Sequence, residues 1–201
     1  SYLMIWDKTT VDSVAVKELA HVDGVDLLTA AIMVRRSLVE PGEIKFFLED
    51  DLRYLHNPFL FDEMEDAVDR VRQAVVEGEK VMVYGDRDVD GITSTTILVE
   101  TLRGIGLEVS WRVPTGDDPY GLTLEAVKSF AENDGTLILT VDCGITNSTE
   151  IALAQELGID TVVLDHHNLP ESLPPAVAIV DPKDPESSYP FAGLAGCGVA
   201  S

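Results

Sequence analysis

Three short polar clusters carry side chains able to hold metal ions or move protons. Tyr84-Gly85-Asp86-Arg87-Asp88-Val89-Asp90-Gly91 offers a carboxylate at every second position, Asp142-Cys143-Gly144 offers one more, and Asp165-His166-His167 adds a carboxylate and two imidazoles. If these groups meet, they cannot stand unneutralised. Two like charges ~4 Å apart repel by about 4 kcal/mol at an effective dielectric near 20, so either several carboxylates take up protons or cations sit among them. Carboxylate and imidazole donors without obligate thiolates suit Mn²⁺ or Mg²⁺ better than structural Zn²⁺. So many acids imply two ions, the arrangement that clamps an in-line displacement at phosphorus. The residue types alone therefore point to a metal-dependent phosphoesterase.

The clusters meet only if the fold brings them together, and the sequence predicts that it does. Each directly follows a short apolar run: Val81-Met82-Val83-Tyr84, Leu137-Ile138-Leu139-Thr140-Val141 and Thr161-Val162-Val163-Leu164. Further strands are expected from Leu107 to Val113 and from Val177 to Val180. Between them the pattern predicts helices from Ile92 to Arg103, from Leu124 to Phe130 with Thr123 as cap, and from Ser148 to Leu157. Such alternation implies an α/β domain, a mainly parallel sheet of about five strands with helices on both faces. Loops at the carboxyl ends of parallel strands line one crevice. Residues 12–38 read as helical, broken at Gly24 and stopped at Pro41-Gly42, and Met64, Ala67, Val68, Val71 and Val75 mark an amphipathic helix ended by Gly78. The expected organisation is a helical N-terminal arm over 1–79 and a catalytic domain over 80–201.

Taken singly, the signals have plainer readings. Asp86, Asp88, Asp90 and Gly91 match the opening of a Ca²⁺-binding helix–loop–helix, but that motif needs an acid at loop position twelve, where Ile97 stands, and a helix before the loop, where a strand is expected. Asp142 alone is a strand-end cap, and His166 and His167 alone are solvated loop residues. Cys143 reads as a small residue packed behind Asp142. Arg87 is either an exposed loop side chain or a phosphate contact. Trp6 and Trp111 read as packing residues.

Composition narrows the partners. Lys and Arg number 14 against 36 Asp and Glu, for a net charge of −22. The acidity is spread along the chain, with 17 acids against 8 bases before residue 80 and 19 against 6 from there on. This opposes a broad basic face for duplex DNA and attachment to an anionic membrane. Two cysteines make no disulfide framework, and neither a membrane-spanning run nor a secretory leader is evident. The expected location is the cytoplasm. The final residues, Gly196-Cys197-Gly198-Val199-Ala200-Ser201, read as a cut.

The three motifs together resemble those of the DHH phosphoesterase superfamily. Gly85-Asp86-Arg87-Asp88-Val89-Asp90-Gly91 followed by Ile92-Thr93-Ser94-Thr95 is similar to its RecJ branch of single-strand-specific DNA exonucleases. Tyr120-Gly121-Leu122, Asp181-Pro182-Lys183, Leu194 to Ala200 and the lead-in Asn57-Pro58-Phe59 add to that resemblance. It implies that Asp88, Asp90, Asp142 and His166 are ligands to two Mn²⁺ or Mg²⁺ ions, with Asp142 bridging. It implies that Asp86 supports the cluster and that His167 either meets the scissile phosphate or acts from behind the ligands, with Arg87 a candidate substrate contact. The implied activity is 5′→3′ hydrolysis of single-stranded DNA in repair and recombination.

The chain departs from the branch pattern in four places. Arg87 stands where an aromatic residue is common. Thr115-Gly116-Asp117-Asp118 follows Val113-Pro114 where an arginine is common, and Arg36-Ser37 replaces Arg-Gly. The chain also ends before a fourth-motif aspartate, a second domain and a nucleic-acid-binding fold. The expectation is therefore that residues 1–201 are inactive alone and that single-stranded DNA is held mainly by regions beyond 201. Alternatives are a DHH phosphodiesterase acting on short oligonucleotides or cyclic dinucleotides, and a catalytically dead DHH scaffold of replication. Such a scaffold would have lost metal-site acids, and here they are present.

Overall fold

The computed structural model describes residues 10–49 and 51–201; Trp6 lies outside them. Packing separates two units, one ending at Leu55 and the other beginning at His56. In the first, α1 (Ser13–Asp23), α2 (Leu27–Arg35) and α3 (Pro41–Leu48) precede a 3₁₀ turn at Leu52–Tyr54. Asp12 and Asp26 cap α1 and α2 by accepting from backbone N–H groups in the first turn. Gly24, at φ +67°, ends α1. Val16, Leu19, Ala30, Met33 and Ile44 form this unit's core. Pro41-Gly42 was expected to stop the helical region. It opens α3 instead, because proline in a first helical turn has no N–H bond to lose and its φ is already helical.

The second unit runs through a 3₁₀ turn at Pro58–Leu60, α4 (Met64–Glu77), β1 (Lys80–Gly85), α5 (Val89–Gly104), β2 (Glu108–Arg112), α6 (Leu124–Ala131), β3 (Gly135–Val141), α7 (Ser148–Glu156), β4 (Asp160–Leu164), β5 (Ala178–Val180) and α8 (Gly196–Ala200). The five strands are parallel, in the order β2-β1-β3-β4-β5. Side chains alternate between two cores. Val81, Val83, Leu137, Leu139, Val141, Val162 and Leu164 face α4, α5 and α8. Met82, Tyr84, Ile138 and Val163 face α6 and α7. A sheet buried on both faces explains why the strands read as continuous apolar runs. The edge strand β2 is the exception, and Trp111, expected to pack, is 54% exposed there.

Strand order reverses direction at β1/β3: the chain moves outward from β1 to β2, then crosses back to β3. A crevice opens at such a point beyond the strands' carboxyl ends. The expected α/β architecture is therefore present, and the change of rhythm falls at Lys80. The packing boundary lies earlier because α4 belongs to the sheet: Ala67 and Ala74 are buried in the same core as the strand side chains, and α4 lies against β5.

One buried ion cluster pins α4. Arg70 donates from Nη2 to Glu79 at 2.7 Å and from Nε to Asp160 at 2.6 Å, and the Thr136 hydroxyl donates to the same Glu79 carboxylate. Burial pushes the Glu79 pKa up, but the Arg70 and Thr136 hydrogen bonds outweigh it and leave it below the usual range. Removing one partner of a buried pair leaves an uncompensated charge. Arg70→Ala is expected to lower stability by about 3 kcal/mol, read as a reduced urea midpoint.

Candidate active site

Four of the five strands are followed directly by an aspartate: Asp86 after β1, Asp142 after β3, Asp165 after β4 and Asp181 after β5. Ladder bonds continue into these residues, since Asp142 N–H donates to the Leu164 carbonyl and Asp165 N–H to the Val180 carbonyl. The sheet itself thus sets the acids' spacing.

The β1–α5 loop is held by its own helix. Asp88 is the N-cap of α5 and accepts from Gly91 N–H at 2.9 Å. The helix starts at Val89, earlier than the expected Ile92, so Asp90 lies in its first turn. There an acid is favoured by the helix dipole. Gly91 is required, because a Cβ would lie 2.3 Å from the Asp86 carbonyl oxygen. Asp90 accepts from Gly196 N–H at 2.7 Å and Cys197 N–H at 2.8 Å, so it anchors the start of α8 as well as facing His166 at 3.3 Å.

Asp142 sits at φ +55°, a left-handed conformation that aspartate tolerates better than most residues. It is 2% exposed. Its Oδ1 lies 2.9 Å from His166 Nε2. Burial, with Asp90 and Asp88 adding repulsion, pushes its pKa well above the usual carboxylate range. Gly196 packs against it so closely that a Cβ there would lie 2.9 Å from the Asp142 Cβ.

Asp165, fully buried, orients the His167 imidazole and holds the backbone of the His166–His167 segment. Its Oδ1 accepts from His166 N–H and pairs with His167 Nδ1 at 2.6 Å, while Oδ2 accepts from Ile145 N–H. Burial lowers the His167 pKa, but the bond to Asp165 and the charges of Asp165 and Asp142 outweigh it, and the net shift is upward. The pairing uses Nδ1 and leaves Nε2 as the ring nitrogen that can act elsewhere. Tyr120 joins the wall. Its hydroxyl donates to the Asp142 carbonyl at 3.2 Å and lies 3.5 Å from His167 Nδ1.

The strand-end clusters therefore converge. Asp86, Asp88 and Asp142 bring one oxygen each within 4.8 Å of one another, and Asp142, His166 and His167 form a second such group. Asp142 is common to both. Asp86 Oδ1 is buried without a hydrogen-bond partner among the described residues. An orphaned carboxylate oxygen beside two further acids fits a divalent cation, which would supply the missing partner and cancel the repulsion. Cys143 is buried, its thiol 3.6 Å from the Tyr84 carbonyl, and burial pushes its pKa up. That agrees with a packing role.

A family model described as "DHH family, N-terminal domain" matches residues 80–201. The chain belongs to the DHH family. The DHH match takes in every strand of the sheet and every strand-end acid described above. Over 198 residues, 98% of this chain, the sequence is 37% identical to the single-stranded-DNA-specific exonuclease RecJ of Bacillus subtilis (strain 168), covering 25% of that protein. A crystal structure of exonuclease RecJ bound to manganese superposes with TM-score 0.65 at 33% identity, over 73% of this chain and 37% of that one. RecJ from Thermus thermophilus in complex with Mn²⁺ gives TM-score 0.64 at 28% identity, over 93% and 26%. The chain thus spans about a quarter of the length of the curated relatives it matches.

Arg87 turns away from the acids and donates from Nη1 to the Gly116 carbonyl and from Nη2 to the Asp118 carbonyl. Arg87 and the 115–118 segment, both singled out in the sequence, are thereby bonded to each other. The sequence places Asp165 among the crevice acids without a specific role, and Tyr120 and Asp181 only in motifs of the resemblance. Asp181 follows an apolar run in the same way as the other acids, so the same rule finds it. It is 1% exposed with Oδ2 unpartnered among the described residues. Burial, then repulsion from Asp165, raises its pKa to about 6. An acid whose folded-state value is raised costs the fold nothing below the unfolded value near 4; the cost grows as pH rises from there to about 6 and is constant above it. Metal-free Asp181→Asn is therefore expected to melt higher than the parent at pH 8, with the difference closing toward pH 4, in paired thermal melts.

Proposed function

We propose that the crevice is the metal centre of a RecJ-type nuclease that hydrolyses single-stranded DNA from its 5′ end. The observation that carries the reading is the shared position of Asp142 between two ligand groups, beside the orphaned Asp86 oxygen. Asp88, Asp90, Asp142 and His166 would hold two Mn²⁺ or Mg²⁺ ions, and Asp86 would support the cluster. When bound, such ions supply Lewis-acid charge for an in-line displacement at phosphorus. The chain's own residues do the rest. Asp165 fixes the His167 ring and raises its proton affinity, so that Nε2 can meet an anionic phosphate oxygen or hold a proton there. Tyr120 places a hydroxyl at the same wall.

The relatives' name, single-stranded-DNA-specific exonuclease, supports a single-stranded DNA substrate for this chain ahead of the reading with short oligonucleotides or cyclic dinucleotides. A chain of net charge −22 repels a phosphate backbone away from the cations. Tight strand binding therefore falls mainly to regions outside these 201 residues, in a protein of the relatives' length. Among the described residues no helix is long and apolar enough to cross a membrane, and a cytoplasmic location fits this reading.

Mn²⁺ should raise the melting temperature of this chain, because an ion binding only the folded cluster stabilises it by mass action. Asp142→Asn should remove most of that rise. Equal shifts in parent and variant would place the ion elsewhere. A protein of the relatives' length should release 5′-terminal nucleotides from labelled single strands in Mn²⁺, and Asp88→Ala should abolish this. Preference for dinucleotides over long strands would favour the phosphodiesterase reading, and metal binding without hydrolysis of either would favour the scaffold.

A further inference from the structure

Arg87 stands between two acids of the cluster, Asp86 and Asp88, yet its guanidinium leaves them. Nη1 donates to the Gly116 carbonyl at 2.9 Å and Nη2 to the Asp118 carbonyl at 2.8 Å, in a segment well along the chain. The segment it grips is a closed turn. Asp118 N–H donates to the Thr115 carbonyl. The Asp118 carboxylate accepts from Thr115 N–H at 2.9 Å and from its hydroxyl at 3.2 Å. Gly116 takes φ +56° there. Just beyond the turn, Tyr120 reaches the Asp142 carbonyl and the edge of His167. Arg87 and Tyr120 thus connect the loops after β1, β2 and β3 in one chain of hydrogen bonds around the acids.

We propose that Arg87 is a positioning residue for the metal centre: a two-pronged latch that fixes the Asp86–Asp88 loop against the 115–118 turn and so holds the ligand carboxylates in register with Asp142. The proposal rests on the metal-centre reading above. A guanidinium suits the task because its rigid fork can satisfy two carbonyls at once, whereas an ammonium is a single point. Groups that orient ligands from behind are worth about 10- to 100-fold in metal affinity.

The sign of the effect separates this latch from simple electrostatics. Arg87 carries a positive charge on the loop that bears Asp86 and Asp88. If charge were its only influence, Arg87→Ala would tighten Mn²⁺ binding. If it positions the loop, Arg87→Ala weakens binding despite removing the repulsion, and Arg87→Lys, which keeps the charge without the fork, does not restore it.

The experiment measures Mn²⁺ affinity by calorimetry for the parent chain, Arg87→Ala and Arg87→Lys. It also follows amide hydrogen exchange at residues 115–120 without metal. The expected result is affinity at least about tenfold weaker in both variants, with faster exchange confined to 115–120 and unchanged protection in β1, β3 and β4. Affinity that is equal or tighter in Arg87→Ala would overturn the proposal, as would unchanged exchange over 115–120. Absence of Mn²⁺ binding in the parent would instead overturn the metal-centre reading, and the exchange result would still decide whether the latch exists.

Discussion

Repulsion among carboxylates, most of them buried or half-buried, is the constraint around which the sheet's carboxyl end is built. Asp86, Asp88, Asp90, Asp142, Asp165 and Asp181 gather where β1, β3, β4 and β5 end. The protein answers that repulsion in two ways. Some acids are neutralised locally by donors: Asp165 by three backbone N–H groups and the His167 ring, Asp90 by the amides that open α8. Others are left in deficit. Asp142 has a raised proton affinity and Asp86 an orphaned oxygen, and these are the groups a cation would complete.

The fold tolerates that deficit by separating it from the hydrophobic work. Val81, Val83, Leu139, Val141, Val162 and Val163 are almost wholly buried directly beneath the acids. Burial of this kind, at about 25 cal/mol per Å² of apolar surface, supports a strained and repulsive rim. The rim's irregular features cluster as expected at a functional site: a left-handed Asp142, a glycine at 91 packed on the Asp86 carbonyl, and a glycine at 196 packed on Asp142.

The sheet and its crevice were legible because their causes are local. Continuous apolar runs of four or five residues, each followed by an acid and then a helical pattern, leave few alternatives to parallel strands covered on both faces. Thr123 acted as the cap its position implied. What escaped the sequence depended on contacts between distant segments. The α8 amides reach Asp90 from a remote part of the chain, and Gly196 to Ala200 carries no periodicity that marks a helix. Arg87 was legible as a cation but not as a latch, because its partners are backbone carbonyls, which every residue has. Trp111 looked like a core residue by type, and is half exposed because β2 is the sheet edge. The reach of α4 onto the sheet was hidden for the same reason as the latch, since an amphipathic face does not say what it packs against.

The central claim is that a divalent cation resolves the carboxylate repulsion at Asp142. Protons and the cation then compete for the same oxygens. The direct test is the rise in melting temperature produced by saturating Mn²⁺, measured at intervals from about pH 5 to about pH 8, a window that brackets the raised Asp142 value. The account predicts a small rise at the acid end that grows as the pH passes through that value, and little rise at any pH in Asp142→Asn. A rise of constant size across the whole range, retained in Asp142→Asn, would contradict it.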